Sequence, residues 1–316
     1  MEEIIAKIPR EAILSELTKE RYVRKTNNGD NEIYIITHHN SPNIMREIGR
    51  LREVTFRHAG GGTGKSIDID EFDTSPHPYQ QLLVWNPEDQ EIVGAYRFIL
   101  CRDAEYHNGK VLLATTELFD FSPEFYKTYL PYTIELGRSF IQPQYQPSEQ
   151  FRKGLFSLDN LWDGLGAIVV DNPDMKYYYG KFTMYTDFNV EARDYILSFL
   201  KYYFPDHKNL VKPIHSVEIK TDVTEFLKEI EGKDYKEGHA ILNKRVRALG
   251  ENIPPLVNAY SNLSSTMLSF GTAINPTFGG VEETGILVTI ADIYPSKSDR
   301  HIATYVKEIE SRVKKE

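Results

Sequence analysis

The spacing of hydrophobic and polar positions divides the chain into interleaved strand-like and helix-like segments. Alternation and β-branched or aromatic enrichment predict strands at residues 31–37, 80–86, 91–100, 132–141, 176–186 and 284–294. Helical spacing predicts helices at residues 9–19, 41–58, 153–170, 189–204, 222–249 and 253–268. Strands mixed with helices in this way indicate a mixed α/β fold.

No Pro-, Gly- or Ser-rich linker divides the chain, so we expect one main domain over residues 31–295. Residues 1–30 are predicted to form an N-terminal helical extension. Residues of about 187–250 are predicted to be a helical insertion, and residues 296–316 a helical tail.

Charged residues lie inside several strand-like segments. Arg97 follows the apolar run at 92–96, and Glu135 and Arg138 lie within 132–141. A buried carboxylate or guanidinium is costly unless it is paired, so these residues are functional candidates. They belong to four short motifs within about ninety residues: Leu51-Arg52-x-x-x-Phe56, Asp70-x-x-Asp73, Gly94-x-x-Arg97 and Glu135-x-x-Arg138.

Composition argues against several classes of protein function. Hydrophobic residues make up 41% of the 316, enough for a core, and the net charge of −9 argues against a nucleic-acid-binding surface. The single Cys101 cannot form an internal disulfide, and no apolar run is long enough to span a membrane. With no secretory signal at the start, we expect a cytoplasmic protein, with peripheral contact to the inner membrane face left open.

A Gly-rich stretch at residues 59–66 ends in Gly64-Lys65-Ser66 and matches a relaxed phosphate-loop pattern. A true phosphate loop leaves a buried strand and enters a helix. Here a polar helix is predicted before it, and an acidic segment at 67–73 follows. We therefore interpret it as a surface loop, and a nucleotide-binding enzyme that uses Lys65 is the rival hypothesis.

Taken together, the four motifs resemble those of acyl-homoserine-lactone synthases, and more closely those of the hemolysin-like ornithine-lipid and glycine-lipid N-acyltransferases. The segments Glu135-Leu-Gly-Arg-Ser139, Leu161-Trp-Asp-Gly164 and Pro254-Pro-Leu256 match further motifs of the latter enzymes. The resemblance covers residues of about 44–293. It implies the fold of GCN5-related N-acetyltransferases, whose mixed sheet splays at its centre to admit an acyl thioester.

The sequence pattern of the donor loop that is usual in that superfamily does not occur here as a full match. The equivalent position is residues 150–155, where Arg152, Lys153 and Gly154 precede the Trp162 helix. Helix N-terminal amides and basic side chains favour a phosphate. We expect the phosphopantetheine arm of acyl carrier protein as co-substrate, with acyl-CoA as the alternative donor, and neither a resident cofactor nor a metal.

The resemblance also implies residue roles, each with an ordinary structural alternative. Glu135 is the candidate base, or else the partner of Arg138 or Arg97. Either arginine could bind the acceptor's carboxylate, and Arg138 is also placed in the catalytic group. Asp70 and Asp73 are candidates for the acceptor's ammonium group, or else helix-capping acids. The donor-side candidates, which could equally be ordinary core or solvated residues, are Arg52, Phe56, Phe140, Arg152, Lys153, Gly154 and Trp162. Of these, Phe56, Phe140 and Trp162 could line the acyl channel.

The resulting hypothesis is an N-acyltransferase. It would move a fatty acyl chain, 3-hydroxylated by expectation, from acyl carrier protein to the amine of glycine or ornithine in aminolipid biosynthesis. The alternatives are the nucleotide-binding enzyme and a catalytically silent module that only binds acyl carrier protein.

Overall fold

A computed structural model describes residues 1–146, 154 and 156–313, with side chains to residue 310. The strands are β1 Tyr22–Lys25, β2 Glu32–Ile36, β3 Gln80–Asn86, β4 Glu91–Leu100, β5 Tyr106–His107, β6 Lys110–Val111, β7 Phe119–Phe121, β8 Thr133–Ile141, β9 Tyr177–Met184, β10 Val211–Pro213, β11 Leu268–Asn275 and β12 Val281–Thr289. The α-helices are α1 Arg10–Glu16, α2 Pro42–His58, α3 Glu71–Thr74, α4 Ser157–Asp171, α5 Val190–Tyr203, α6 Thr224–Ile230, α7 Tyr235–Ala248, α8 Pro255–Ser261, α9 Pro295–His301 and α10 Ala303–Val313.

Eight strands form one mixed sheet in the order β1-β2-β3-β4-β8-β9-β12-β11. Neighbouring strands are antiparallel except β8 and β9, which pair in parallel only from Thr133↔Tyr177 to Glu135↔Tyr179. Both strands continue for several residues beyond that last pair. The sheet therefore opens between β8 and β9, which confirms the predicted splayed mixed sheet.

A β-bulge lies in β8 beside the opening. Ala95 pairs with Phe140 and Arg97 with Gly137, so two steps along β4 match three along β8. Arg138, within this extra step, has a positive φ of 46°. Such a bulge re-aims side chains and raises the local twist, so the usual alternation does not fix where Arg138 points.

The two faces of the sheet carry separate apolar layers. Helices α4 and α5 cover one face, where Leu136, Leu165 and Phe199 share a cluster. On the other face, α2 packs over one apolar cluster, and residues 99–130 contribute to a second one nearer β9 and β12. Charged side chains occupy the area between these two clusters. The face of the sheet that α2 covers therefore contains the candidate site.

Several predicted boundaries were wrong. Strand β1 lies inside the segment predicted as a helical extension, and it pairs with β2. The charged segment 222–249 is two helices separated at Gly232, which has positive φ. The helix predicted at 253–268 ends at Ser261, and Gly271 lies within β11 rather than ending a helix. Pairing with the following strand decides β1 and β11, and the periodicity of each segment alone does not show it.

The predicted insertion packs directly on the sheet. Ile196 of α5, Phe226 of α6 and Leu242 of α7 belong to the same cluster as Leu136. No helix among the described residues is long and apolar enough to cross a membrane.

Candidate functional site

The candidate site lies on the α2 face of the sheet, where β8 and β9 diverge. Glu135 occupies the last position at which β8 pairs with β9, and it is only 2% exposed. One of its carboxylate oxygens accepts from the Tyr79 hydroxyl, and the other accepts from the Thr115 amide at 3.0 Å. Burial raises the pKa of Glu135, although the Tyr79 and Thr115 hydrogen bonds and Arg97 oppose the shift.

No ion pair joins Glu135 to Arg97 or Arg138 in the part of the chain that the structure describes. The alternative in which Glu135 is a salt-bridge partner of either arginine is therefore wrong. A buried carboxylate that is hydrogen-bonded but lacks a paired cation is well suited to accept a proton.

Arg97 connects β4 to the Asp70-x-x-Asp73 motif. Its guanidinium donates to both Asp70 oxygens at 2.7 and 2.6 Å and lies 3.4 Å from Asp73. Burial alone would lower the pKa of Arg97, but the two aspartates outweigh it and raise the pKa. Arg97 Nε is buried and has no hydrogen-bond partner among the described residues. The Nε–H of Arg97 is therefore a donor that the aspartates do not use.

The two aspartates form the capping box of α3, as the structural alternative predicted. They differ in exposure: Asp73 is fully buried, whereas the Asp70 side chain is 29% exposed. Asp73 also accepts from Arg52 at 2.8 Å and from Gln81 at 2.9 Å. Burial acts to raise the pKa of Asp73, but Arg52 and Arg97 hold it well below its usual range. Only Asp70 is open to an acceptor.

Arg52 is fully buried on α2 and donates to Asp73, to Gln81 at 2.7 Å and to the Asp68 carbonyl at 3.2 Å. These contacts make it a support for Asp73. Its predicted donor-binding role stays a prediction that the buried geometry does not favour.

Arg138 lies at the bulge and binds Asp68, with Nε 2.9 Å from the carboxylate. Its guanidinium also stacks 4.5 Å from the Phe278 ring centroid and reaches within 3.8 Å of Asp70. The Arg138 side chain remains 15% exposed. Arg97 and Arg138 thus converge on Asp70 from two strands.

Lys181 faces the same site from β9, across the opening, and sequence reasoning missed it. It forms an ion pair with Glu283 of β12, which also accepts from Asn275 at 3.2 Å and Thr183 at 3.3 Å. Burial lowers the pKa of Lys181, Glu283 opposes the shift, and Arg138 and Arg97 add to it. The criterion that selected Arg97 and Glu135, a charge inside a strand-like segment, would have found Lys181.

An apolar pocket lies at the same opening on the opposite face of the sheet. Trp162 lines it, as predicted for the acyl channel, with Leu136 and Gly180 from the diverging strands. Its other lining residues are Leu165, Tyr178, Tyr179, Tyr260, Leu263, Ile286 and Val288. The opening therefore has a polar side at Glu135 and an apolar side at Trp162.

The structure separates Trp162 from two other predicted channel residues. Phe56 and Phe140 pack on the α2 face, 6.4 Å apart between ring centroids, and Phe56 also contacts Phe278. Arg152 and Lys153 of the predicted donor loop lie outside the described residues. Gly154 is described and is buried.

The Gly-rich loop follows helix α2 rather than a strand, and two of its amides already bind carboxylates of this chain. The amide of Thr63 donates to Glu53 at 2.9 Å, and that of Ser66 donates to Glu2 at 2.7 Å. Carboxylates of this chain therefore use the donors that a nucleotide phosphate would need. The rival hypothesis of a phosphate loop is wrong, because the strand that should precede such a loop is a helix here.

Comparisons with known proteins agree with this architecture. Residues 51–153 match the family described as an acetyltransferase (GNAT) domain. The chain is 54% identical over 309 residues to a protein of Bacteroides thetaiotaomicron named glycine N(alpha)-acyltransferase, with 97% of this chain and 91% of that protein covered. A Phocaeicola vulgatus protein of the same name is 53% identical, with 98% and 95% covered.

Among solved structures, the chain is similar to a CoA-dependent acyl-homoserine lactone synthase, BjaI, with SAM and isopentyl-CoA. The TM-score is 0.38 at 11% identity, covering 88% of this chain and 89% of that one. The acyl-homoserine lactone synthase LasI gives a TM-score of 0.34 at 15% identity over 49% of this chain and 74% of its own.

Proposed function

This chain belongs to the family of the glycine N(alpha)-acyltransferases and is an acyltransferase, and we propose that it moves a fatty acyl chain from acyl carrier protein to the amine of glycine. The product would be an N-acylglycine, a lyso-aminolipid. Glycine is preferred over ornithine because both curated relatives carry glycine in their names.

The opening between β8 and β9 is the observation that carries the proposal. Glu135 marks the last paired position on its polar side, and the pocket at Trp162 lies on the apolar side. An acyl thioester has the same division, with a polar reacting carbonyl and an apolar tail. Burial of the tail contributes about 0.8 kcal/mol for each CH₂ removed from water, so the apolar pocket favours a fatty chain.

The reaction needs a free amine. Glu135 accepts a proton from the glycine ammonium group, and the amine nitrogen then attacks the thioester carbonyl carbon. A carbon–nitrogen bond forms, the carbon–sulfur bond breaks, and the leaving phosphopantetheine thiolate takes up the second proton that the nitrogen loses. Asp70 is the exposed carboxylate that can hold the ammonium group beforehand.

The donor assignment depends on the predicted loop at Arg152 and Lys153. Acyl carrier protein is acidic and this chain carries a net charge of −9, so their encounter requires a local basic patch. Acyl-CoA is the alternative, because it presents the same phosphopantetheine arm.

The test is to incubate the purified protein with 3-hydroxyacyl and plain acyl thioesters of acyl carrier protein or coenzyme A, each with a panel of amino acids. Mass spectrometry should detect N-acylglycine from the carrier-protein thioester, with ornithine a poorer acceptor. Retained binding of acyl carrier protein without any N-acyl product would instead support the silent module.

A paired variant tests the docking surface. Arg152→Glu with Lys153→Glu should weaken use of acyl carrier protein in a salt-dependent way. Lys228→Glu with Lys233→Glu, at exposed positions in α6 and in the connection after it, should not. Equal salt dependence in both double variants would place docking elsewhere.

A further inference from the structure

We propose that Lys181 binds the carboxylate of the acceptor amino acid and so makes the enzyme selective for amines that carry one. This inference rests on the proposed function and names a residue of the same site. It starts from the position of Lys181 on β9, on the far side of the opening from Glu135.

The register places Lys181 beside the reacting region. Glu135 pairs with Tyr179, and Lys181 is two residues further along β9 on the same face of the sheet. Two residues of extended strand span roughly 7 Å. The next residue, Phe182, packs in the cluster on the α4 face of the sheet, so Lys181 points to the polar side. An amine held near Glu135 therefore has Lys181 within the reach of a short molecule.

The three arginines of the site each bind aspartates of this chain. Arg97 holds both oxygens of Asp70, Arg138 holds Asp68, and Arg52 holds Asp73. Each of these arginines is thus oriented by an aspartate. Lys181 has three donors, and Glu283 is its one carboxylate partner among the described residues, which leaves donors for a ligand.

The surroundings of Lys181 argue for binding rather than for stability. The ion pair is largely buried, with side-chain exposures of 13% for Lys181 and 2% for Glu283. Replacing a buried ion pair by apolar residues is often neutral or stabilising. Towards the paired end of β9, the neighbours Tyr179 and Leu287 belong to an apolar cluster, and Glu283 is also held by Thr183 and Asn275. A lysine retained at the opening is better explained by an anionic ligand.

Two further features fit a small carboxylate. The Cβ position of Gly137, on β8 opposite, meets only Arg97 Nε at 3.8 Å, and that buried nitrogen lacks a partner. Space and a spare donor therefore lie on the β8 side while Lys181 approaches from β9. Glu283, fixed by Asn275, acts as a positioning residue that holds the Lys181 ammonium group.

The experiment compares glycine with glycinamide, which has the amine but no carboxylate, using the carrier-protein thioester as donor. Wild-type protein should prefer glycine. In Lys181→Met, the glycine-to-glycinamide ratio of kcat/KM should fall about tenfold to a hundredfold, because a charge-assisted hydrogen bond is lost. The loss should appear mainly in KM for glycine, with KM for the thioester unchanged. Comparing ratios between proteins cancels the different basicities of the two amines.

Matched variants separate binding from folding. Lys176→Met removes an exposed lysine just before β9 and should keep the wild-type ratio. Lys181→Arg should keep most of the preference for glycine. If Lys181→Met misfolds because Glu283 is left unpaired, Lys181→Met with Glu283→Gln should fold and show the same loss.

The outcomes distinguish the inference from the proposed function. A wild-type protein that forms no N-acylglycine would overturn the proposed function and this inference together. A wild-type protein that acylates both amines equally, or a folded Lys181 variant that keeps the wild-type ratio, would overturn the role of Lys181 alone.

Discussion

The two sides of the opening in the sheet are built differently, although both place cations at the same polar site. On the β8 side, Arg52, Arg97 and Arg138 are each bound to aspartates, and Asp73 is shared between Arg52 and Arg97. On the β9 side, a single lysine pairs with Glu283. Arginine presents a planar fork that fixes geometry, whereas lysine is a flexible point charge. The comparison suggests that the β8 side provides the framework and the β9 side provides recognition.

Burial within the β8 side supports this division. Arg52 and Asp73 are completely buried, whereas Asp70 and Arg138 reach solvent. The four motifs therefore contain two kinds of charged residue. Some, such as Arg52 and Asp73, hold the site together, and others, such as Asp70 and Arg138, face the substrate.

The largest expected effect is on stability, from breaking the buried framework. Arg52→Met should lower the free energy of unfolding by about 3–5 kcal/mol, because a buried ion pair is broken: Asp73 keeps only Arg97, 3.4 Å away, as a counter-charge, and Gln81 loses a donor. Arg102→Met is the control: its pair with Asp174 is exposed, so the loss should stay within about 1 kcal/mol. Urea unfolding measures both. Similar losses in the two variants would contradict the framework role.

The pH dependence of that loss has a definite sign. The pKa of Asp73 is lowered in the folded protein, so its contribution is present above the unfolded value of about 3.9 and disappears as the pH falls through the folded value. The difference in unfolding free energy between wild type and Arg52→Met should therefore shrink below about pH 4. A constant difference down to pH 2 would assign the loss to packing.

The next effect is catalytic and concerns Glu135, at the end of the β8–β9 pairing. Glu135→Gln should slow the chemical step by about 10²-fold or more while the protein stays folded. Single-turnover measurements give the rate of the chemical step, and circular dichroism shows whether the variant is folded. Near-normal turnover at neutral pH would remove Glu135 from the role of base.

Glu135 should also set the acid limb of the pH–rate profile. Burial raises its pKa, and the base acts only when deprotonated, so kcat/KM should fall with decreasing pH at a value above the ordinary 4.3 of glutamate. The same limb should be absent in Glu135→Gln. A limb unchanged by the substitution belongs to another group.

A smaller effect separates the two aspartates of one motif. Asp70→Asn should reduce kcat/KM for glycine about tenfold to a hundredfold, because the ammonium group loses an exposed counter-charge. Its cost in stability should be well below that of Asp73→Asn, which leaves the buried Arg52 unpaired. Kinetics and urea unfolding of both variants give the answer. Equal losses of unfolding free energy in the two variants would mean that Asp70, like Asp73, holds the site together.

The sequence predicts the parts of this molecule that local pattern controls. Helix α2 begins after Ser41 with Pro42 at its first turn, as predicted, and β3 and β4 have the predicted bounds. The splayed sheet followed from the motif resemblance. Strand β11 was missed, because its identity depends on pairing with β12 and its Gly271 resembles a helix terminator.

Within the site, spacing identified the charged residues but not their partners. The bulge at Arg138 exists only through the register of β4 against β8, so no pattern in β8 alone reveals it. The partners of Glu135 come from Tyr79 and Thr115, far away in sequence. Lys181 meets the same criterion of a charge inside a strand-like segment, but its place at this site depends on β9 lying next to β8.

The smallest expected effect tests a region outside the comparison. Lys65→Ala should leave acyl transfer within about twofold of wild type, because Lys65 is exposed and the amides of its loop bind Glu53 and Glu2. A phosphate-loop lysine would contribute a charge that nucleotide binding cannot replace. Titration with ATP should accordingly show no binding that depends on Lys65. Specific ATP binding lost in Lys65→Ala would mean that a third region of the molecule, and not the two sides of the opening alone, carries function.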